Sequence, residues 1–352
     1  MKFGIFDQND RSGRPLAQQY EERLQLAELF DANGFYCYHT SEHHATPLST
    51  TPSQNVLMSA IAQRTRHLRL CPLVYLLPIH HPVRLAEEIC MLDHLSHGRF
   101  QFGIGRGASP HELAAMGIDA ANAGKMYAES FDVIARFFTS DRLNFAGQFW
   151  QFDDVPVEIK PLQHPHPPVW YALASPDSTV WPAQRGINIV CGGPVERIRA
   201  VTDRYREEWS KTHDAHDELP LIGVNRYIIV ADTDEAALEI GRKAWPTFFG
   251  NFIRLWRKHG TEPVNAKLPP DFDSLLASRH AVVGSPETVT KELASQIADG
   301  GLNYLIGSYV FGDMAHSDVV KSVNLFSDHV MPHLKDLGQV ALRPVLEETQ
   351  RV

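Results

Sequence analysis

Cysteine is scarce in this sequence. Four residues, Cys37, Cys71, Cys90 and Cys191, are scattered through apolar segments without CxxC spacing. That excludes a disulfide framework and a thiolate metal motif, and the expectation is a reduced, cytoplasmic protein whose thiols are buried and structural. Long apolar runs are also lacking, since no stretch approaches the roughly 20 residues that a membrane-spanning helix needs. The opening MKFGIF moves straight into a strand-like alternation without a signal-peptide pattern. Positive charge is in deficit: 33 lysines and arginines face 42 acidic residues, a formal charge of −9. No nucleic-acid and no membrane partner is therefore expected, although a local phosphate pocket is compatible with that balance. Several motifs are absent as well. There is no GxGxxG after the first strand, no Walker loop, no HExxH and no Ser-His-Asp nucleophile pattern.

What is present is a chain of 352 residues, 43% apolar, long enough for two domains or for one α/β barrel with insertions. The most informative stretch is HPVRLAEEICMLDHLSHGRFQFGIGRG, residues 81–107. Val83, Ala86, Ile89, Cys90 and Leu95 recur at helical spacing, Pro82 suits a first helical turn, and Gly98 suits a left-handed cap. Phe100, Phe102 and Ile104 then alternate before Gly105, Arg106 and Gly107. A helix that returns at once to a strand is half of a βαβ crossover. Strands are expected at residues 2–6, 35–39, 68–77, 100–104, 169–173, 187–190, 221–230 and 304–306, with helices between them. Leu16, Tyr20, Leu24, Ala27 and Phe30 mark the expected inner face of the first helix. Eight strands alternating with helices predict an α/β fold, a (β/α)8 TIM barrel with insertions, as a single domain over residues 1–335. One insertion is a hairpin around residues 145–152; another is an irregular segment at 260–284. Residues 336–352 form a peripheral tail.

Function in such a barrel gathers on the loops after the strands' carboxyl ends. Glu42, His43 and His44 follow the second strand, with His39 nearby. The spacing lacks the periodicity that would converge metal ligands, so no metal site is expected, and a metal-dependent hydrolase would carry HxH where this chain has FDQND. A histidine here either moves a proton, since imidazole titrates near neutrality, or hydrogen-bonds the loop backbone. Gly105–Arg106–Gly107 follows the fourth strand, where the arginine is either a two-pronged anion contact or a surface side chain between turn glycines. Ser175–Pro176–Asp177–Ser178 follows the fifth strand and reads as a helix start, which serves either as an ordinary cap or as a phosphate site. Gly284–Ser285–Pro286–Glu287 has the same cap chemistry but no companion arginine, and is expected to be a plain cap. Trp150, Trp170, Tyr171 and Trp181 are either pocket or core. His80–His81–Pro82 and His164–Pro165–His166 read as turn punctuation.

Taken together, MKFGIF, GFYCYHTSEHH, the stretch 81–107, WYALASPDSTVWPAQRG and LFSDHVMPHLK resemble, in that order, the bacterial luciferase-like flavin-dependent monooxygenases. The resemblance covers residues 1 to about 335 and implies the same (β/α)8 barrel. It further implies reduced FMN delivered by a separate flavin reductase, a flavin C4a-hydroperoxide formed with O2, a small organic substrate such as an aldehyde, and a homodimer. His43 matches the family's catalytic histidine and Arg106 its flavin-phosphate arginine. Ser175 and Ser178 match the accompanying hydroxyls, and Gly105 adjoins the arginine. Leu73–Val74 matches the segment behind the flavin ring, often a non-proline cis peptide. Two departures stand out: Ala174 replaces an acidic residue, and a second phosphate-side arginine has no match, Gly124 aligning there with Lys125 beside it. The segment at 260–284 coincides with a mobile family loop and is expected to act as a lid. The resemblance leaves two alternatives in view, hydride transfer with deazaflavin F420 and a non-catalytic flavin-binding protein.

Overall fold

The computed structural model describes residues 1–337 except 174, 215 and 264–266. The expectation attached to Ala174, part of the 260–284 segment and the tail from 338 onward lie outside the described residues. In chain order the sheet strands are β1 Lys2–Asp7, β2 Cys37–Thr40, β3 Arg69–Pro72, β4 Tyr75–Leu76 and β5 Phe102–Gly105. A side hairpin of β6 Arg142–Ala146 and β7 Gln151–Pro156 follows, then β8 Val169–Leu173, β9 Asn188–Cys191, β10 Ile222–Val230, β11 Ala281–Gly284 and β12 Tyr304–Ser308. The parallel order β3-β2-β1-β12-β10-β9-β8-β5-β4 runs once round the molecule. Its two ends, β3 and β4, are consecutive in the chain, and a parallel bridge between Leu70 and Phe100 closes the seam. The result is the expected TIM-type barrel of parallel strands, with helices crossing over between most of the neighbouring strands.

The strands are buried on both faces, which is why they read as nearly continuous apolar runs rather than alternations. Trp170, Tyr304, Cys37 and Cys71 fill the barrel interior with Val190, Leu221 and Ile306. Trp170 is wholly buried, and its Nε1 donates to Gln101 Oε1 at 2.6 Å. Burying a side chain of this size contributes roughly 2–3 kcal/mol, so Trp170 belongs to the core rather than to a pocket. The helices close the outside: α1 Leu16–Ala32, α2 Gln54–Arg64, α3 Pro82–Leu95, α4 Pro110–Ala115, α5 Ala123–Thr139, α6 Val180–Gln184, α7 Val195–Ser210, α8 Asp234–Lys258, α9 Phe272–Ala277, α10 Pro286–Gly300, α11 His316–Leu325 and α12 Met331–Leu334. Gly98, at φ +77°, supplies the left-handed residue that turns α3 back into the sheet. Ser285 caps α10 by accepting the Thr288 N–H, the plain cap expected of it.

Four expectations are corrected. The inner face of α1 is Gln19, Glu22, Arg23, Leu26, Ala27 and Phe30, whereas Leu16 is exposed. The amino-terminal half of this helix lies under the polar loop after β1 and is held by hydrogen bonds: the Gln19 amide donates to Asn9 Oδ1 at 2.8 Å and to the Asp10 carbonyl at 2.9 Å. Arg23 is buried against Asp7 at 2.9 Å. Leu95 likewise faces solvent rather than the core. The third strand is not continuous, because it breaks at a cis peptide between Leu73 and Val74. Finally, residues 260–284 are not irregular throughout. Asp271 caps α9, and Ala281–Gly284 is a parallel strand beside β10. A run of four, AVVG, is too short for periodicity to separate from loop, and only its pairing with Tyr227–Val230 defines it.

Candidate functional site

All the site candidates sit at the carboxyl ends of neighbouring strands, and the register says how they meet. Thr40 pairs with Pro72, and the Leu73 N–H donates to the Thr40 carbonyl at 2.8 Å. The loop carrying Glu42, His43 and His44 therefore leaves β2 directly beside Leu73–Val74. On the other side of that segment, Val74 packs into β5. A Cβ on Gly105 would lie 2.3 Å from Val74 Cγ2, and one on Gly103 would lie 2.7 Å from the Pro72 carbonyl. Both positions of the FGIG strand must be glycine for the Leu73–Val74 turn to lie flat against it, so Gly105 acts through close approach and not through a bond.

Arg106 projects from the end of β5. Ile104 pairs with Tyr171 on β8, so continuing the register sets Arg106 level with Leu173, two residues before Ser175. A Cβ on Gly124 would lie 3.8 Å from Arg106 Cδ, which puts the start of α5, with the exposed Lys125, on the arginine's other flank. Among the described residues Arg106 has no hydrogen bond or ion pair. Ser175 and Ser178 are both exposed. Proline at 176 starts a short 3-10 turn, Pro176–Thr179, which runs into the five-residue α6. The Ser175 side chain caps nothing there; only its carbonyl accepts the Ser178 N–H, at 3.1 Å. The ordinary-cap reading of Ser175 thus fails, and both hydroxyls remain directed at the loop surface.

The histidines separate into distinct roles. His39 lies in the barrel interior, its Nε2 2.8 Å from Tyr304 Oη. His43 is about a quarter exposed, and its Nδ1 lies 3.2 Å from both carboxylate oxygens of Glu112, which is buried on α4. Glu112 Oε2 also accepts the His44 N–H at 3.0 Å. A carboxylate that accepts on all sides makes Nδ1 the donor, which leaves Nε2 as the unengaged nitrogen of the His43 ring. No described residue bonds that nitrogen.

Glu42 forms a second cluster. Its buried carboxylate accepts the Leu76 N–H at 2.7 Å, His80 Nε2 at 2.8 Å and His44 Nε2 at 3.0 Å. Burial opposes its ionisation, but these donors outweigh burial and hold it down at about 2. The bond to Glu42 in turn raises His44 above the ordinary imidazole value. Glu42 thus ties the loop after β2 to β4 and to the turn before α3.

Two readings of the sequence change here. His80, taken as turn punctuation, is a ligand of the Glu42 carboxylate, and His81 packs edge-on to Trp150 at 5.0 Å. Glu112 was not foreseen at all. It lies 69 residues from His43, and PHELAA by itself reads as any short capped helix. The one available signal was its position six residues after Arg106, on the helix that the glycine-arginine loop launches.

Comparison with known proteins agrees with the barrel fold. The family model for luciferase-like monooxygenases matches residues 1–304. An uncharacterized protein, y4wF, of Sinorhizobium fredii is 41% identical over 89% of this chain and 92% of its own length. The oxygenase component of a flavin-dependent trigonelline monooxygenase from Acinetobacter baylyi is 29% identical over 85% of this chain and 87% of its own. Among solved structures, monooxygenase RslO1 from Streptomyces bottropensis superposes with a TM-score of 0.84 at 26% identity, covering 95% of this chain and 99% of that one.

Proposed function

This chain belongs to the luciferase-like monooxygenase family, and from that premise we propose that it is the oxygenase of a two-component system, using reduced FMN and O2 to oxygenate a small organic substrate. The observation that carries the reading is the pairing of an unpartnered arginine with a carboxylate-oriented histidine on one barrel mouth, joined by the eight residues from Gly105 to Glu112.

The residues present suit a flavin mononucleotide. A phosphate asks for fixed donors, and the Arg106 guanidinium, free of any protein acceptor among the described residues, offers a forked pair. The exposed hydroxyls of Ser175 and Ser178 and the ammonium of Lys125 are its candidate companions, and Gly105 makes room for Val74 beside the arginine. A flavin ring asks for a flat apolar backing, which Leu73 and Val74 supply. When bound, the reduced flavin supplies the electrons and the site at which O2 is activated. The protein's own part is narrower. Arg106 and its hydroxyl companions bind and orient. Leu73–Val74 sets the plane. His43 accepts or returns a proton at Nε2, while Glu112 holds the ring in the tautomer that exposes that nitrogen. The relative named as an oxygenase component supports a separate reductase as the partner.

The test is reconstitution with NADH, a flavin reductase and FMN under 18O2, across a panel of aldehydes, ketones and aromatic rings. One labelled oxygen atom is expected in the product. Product oxygen that is unlabelled and so comes from water, or turnover that proceeds with reduced F420 and without O2, would replace the monooxygenase reading with hydrolysis or hydride transfer. Replacing Arg106 by alanine removes a charge-assisted contact and is expected to weaken FMN binding about 10- to 100-fold. Flavin fluorescence titration reads this directly, and an unchanged affinity would remove Arg106 from the phosphate site.

A further inference from the structure

Most described arginines are engaged: Arg23 with Asp7, Arg64 with Glu21, Arg142 with Asp154 and Arg242 with Asp273, for example. Arg11, Arg106, Arg197 and Arg254 have neither a hydrogen bond from the guanidinium, an ion pair nor a ring contact among the described residues. Arg197 lies on the outer helix α7. Arg106 is accounted for above. Arg11 and Arg254 line one groove of about 620 Å³, and His43 lines it too.

That groove is built, not incidental. Arg11 sits in the loop after β1 and Arg254 on α8, and Asn251, one helical turn before Arg254, staples the two elements together. Its Nδ2 donates to Asp10 Oδ2 at 2.7 Å and to the Arg11 carbonyl at 2.9 Å. The Arg11 N–H donates to the Pro47 carbonyl at 2.9 Å, and Tyr20 Oη donates to the Thr50 carbonyl at 2.5 Å, so the opposite wall is tied down as well. The lining is otherwise apolar surface and hydroxyls, from Leu16, Tyr20, Pro47 and Thr50 among others, and it includes no aspartate or glutamate. In a chain of net charge −9, a groove with two cations and no acid is a local inversion of sign. Its volume is that of a small-molecule site.

We infer that this groove is the substrate site and that the substrate carries a carboxylate, gripped by Arg11 and Arg254, with its oxidisable part directed toward His43. The inference rests on the monooxygenase reading for the word substrate, but the binding site stands without it. Two guanidiniums on a pre-formed wall suit a planar carboxylate, which each can engage through paired N–H donors.

Calorimetric titration tests this with benzoate, phenylacetate and octanoate against benzamide, phenylacetamide and octanamide, with FMN affinity measured on the same preparations. At least one carboxylate is expected to bind at least about tenfold more tightly than its amide. Arg11→Ala and Arg254→Ala are each expected to erase that preference, with FMN affinity within about twofold of the parent and an unchanged melting temperature, since both side chains are exposed. Equal binding of acid and amide by the parent would overturn the proposal. So would a preference that survives in the double variant. If the double variant instead loses FMN, the groove's anion is the cofactor's phosphate and the proposal falls, together with the assignment of Arg106. If FMN is never bound but the carboxylate preference and its loss are seen, the site stands and the flavin reading falls alone.

Discussion

Replacing His43 by alanine is expected to lower turnover about 10²- to 10⁴-fold, the range that a positioned acid–base group commands, while the affinity for FMN stays within about twofold. Nε2 of the ring has no partner among the described residues, and neither nearby histidine replaces it: His44 is held by Glu42, and His39 is sealed in the barrel against Tyr304. Glu112 acts through His43, and its variants should separate position from chemistry. Glu112→Ala frees the imidazole to rotate and is expected to cost about tenfold to 100-fold in kcat, with KM little changed, because a misplacement of about 1 Å is enough for such a loss. Glu112→Gln keeps one acceptor for the two N–H groups now held, and should fall between alanine and the parent. Steady-state kinetics with saturating reduced flavin measures both. If Glu112→Ala raises KM and leaves kcat alone, the carboxylate shapes the pocket and does not orient the histidine. If His43→Ala turns over at the parent rate, the proton role assigned to Nε2 is wrong.

The second large effect concerns stability. Glu42→Gln is expected to destabilise the fold by about 3 kcal/mol at neutral pH, with a difference that shrinks in acid. The sign follows from the direction of the shift. The folded-state value of about 2 lies below the ordinary 4.5, so the stabilisation is complete above about 4.5 and is lost as pH falls toward 2, where the carboxyl of the parent is itself protonated. His44 runs the other way. Its raised value means that its contribution is present below the ordinary imidazole range and fades as pH rises through the folded-state value. Urea midpoints for parent and variant, measured from pH 2 to pH 8, separate these cases. Curves that stay parallel through the acid range would mean that the carboxylate charge does not hold the loop. Asp10 opposes the trend: it is buried and pushed up to about 6 by desolvation, so ionising it in the folded state costs stability as pH rises from about 4 to 6. Between about pH 4 and 6 the Asp10 contribution therefore falls while that of Glu42 is already complete.

Glu42 and Glu112 also show where reading a sequence stops. Arg106 was legible because its neighbours advertise it. Glycines on both sides of an arginine, at the end of an apolar strand, leave few roles other than holding an anion or facing water. His43 was legible as a candidate because two histidines and a glutamate on a loop after a strand are chemically conspicuous. Their partners were not conspicuous. Glu42 was in view, but its meaning depends on Leu76 and His80, 34 and 38 residues further on. Glu112 depends on a contact across 69 residues. Neither separation leaves any periodicity to detect.

The strand AVVG at Ala281–Gly284 was missed for a related reason, since four residues carry too little pattern until β10 lies alongside. Arg11 and Arg254 are the extreme case: two ordinary surface arginines, 243 positions apart, that one asparagine brings to the rim of the same groove.

The sequence by itself determined the barrel, because strands buried on both faces leave short apolar runs and the helices between them a recurring apolar spacing, and both are written in local residues. It also singled out Arg106 and His43 as side chains with the chemistry to hold an anion and to move a proton. Only the tertiary structure decided which carboxylate holds which histidine, which glycines make room for Leu73–Val74, and where positive charge collects without an acid beside it. Those are properties of distances between segments remote in the chain. Hydrogen bonds and charges act through space, and local sequence pattern does not record the separation they depend on.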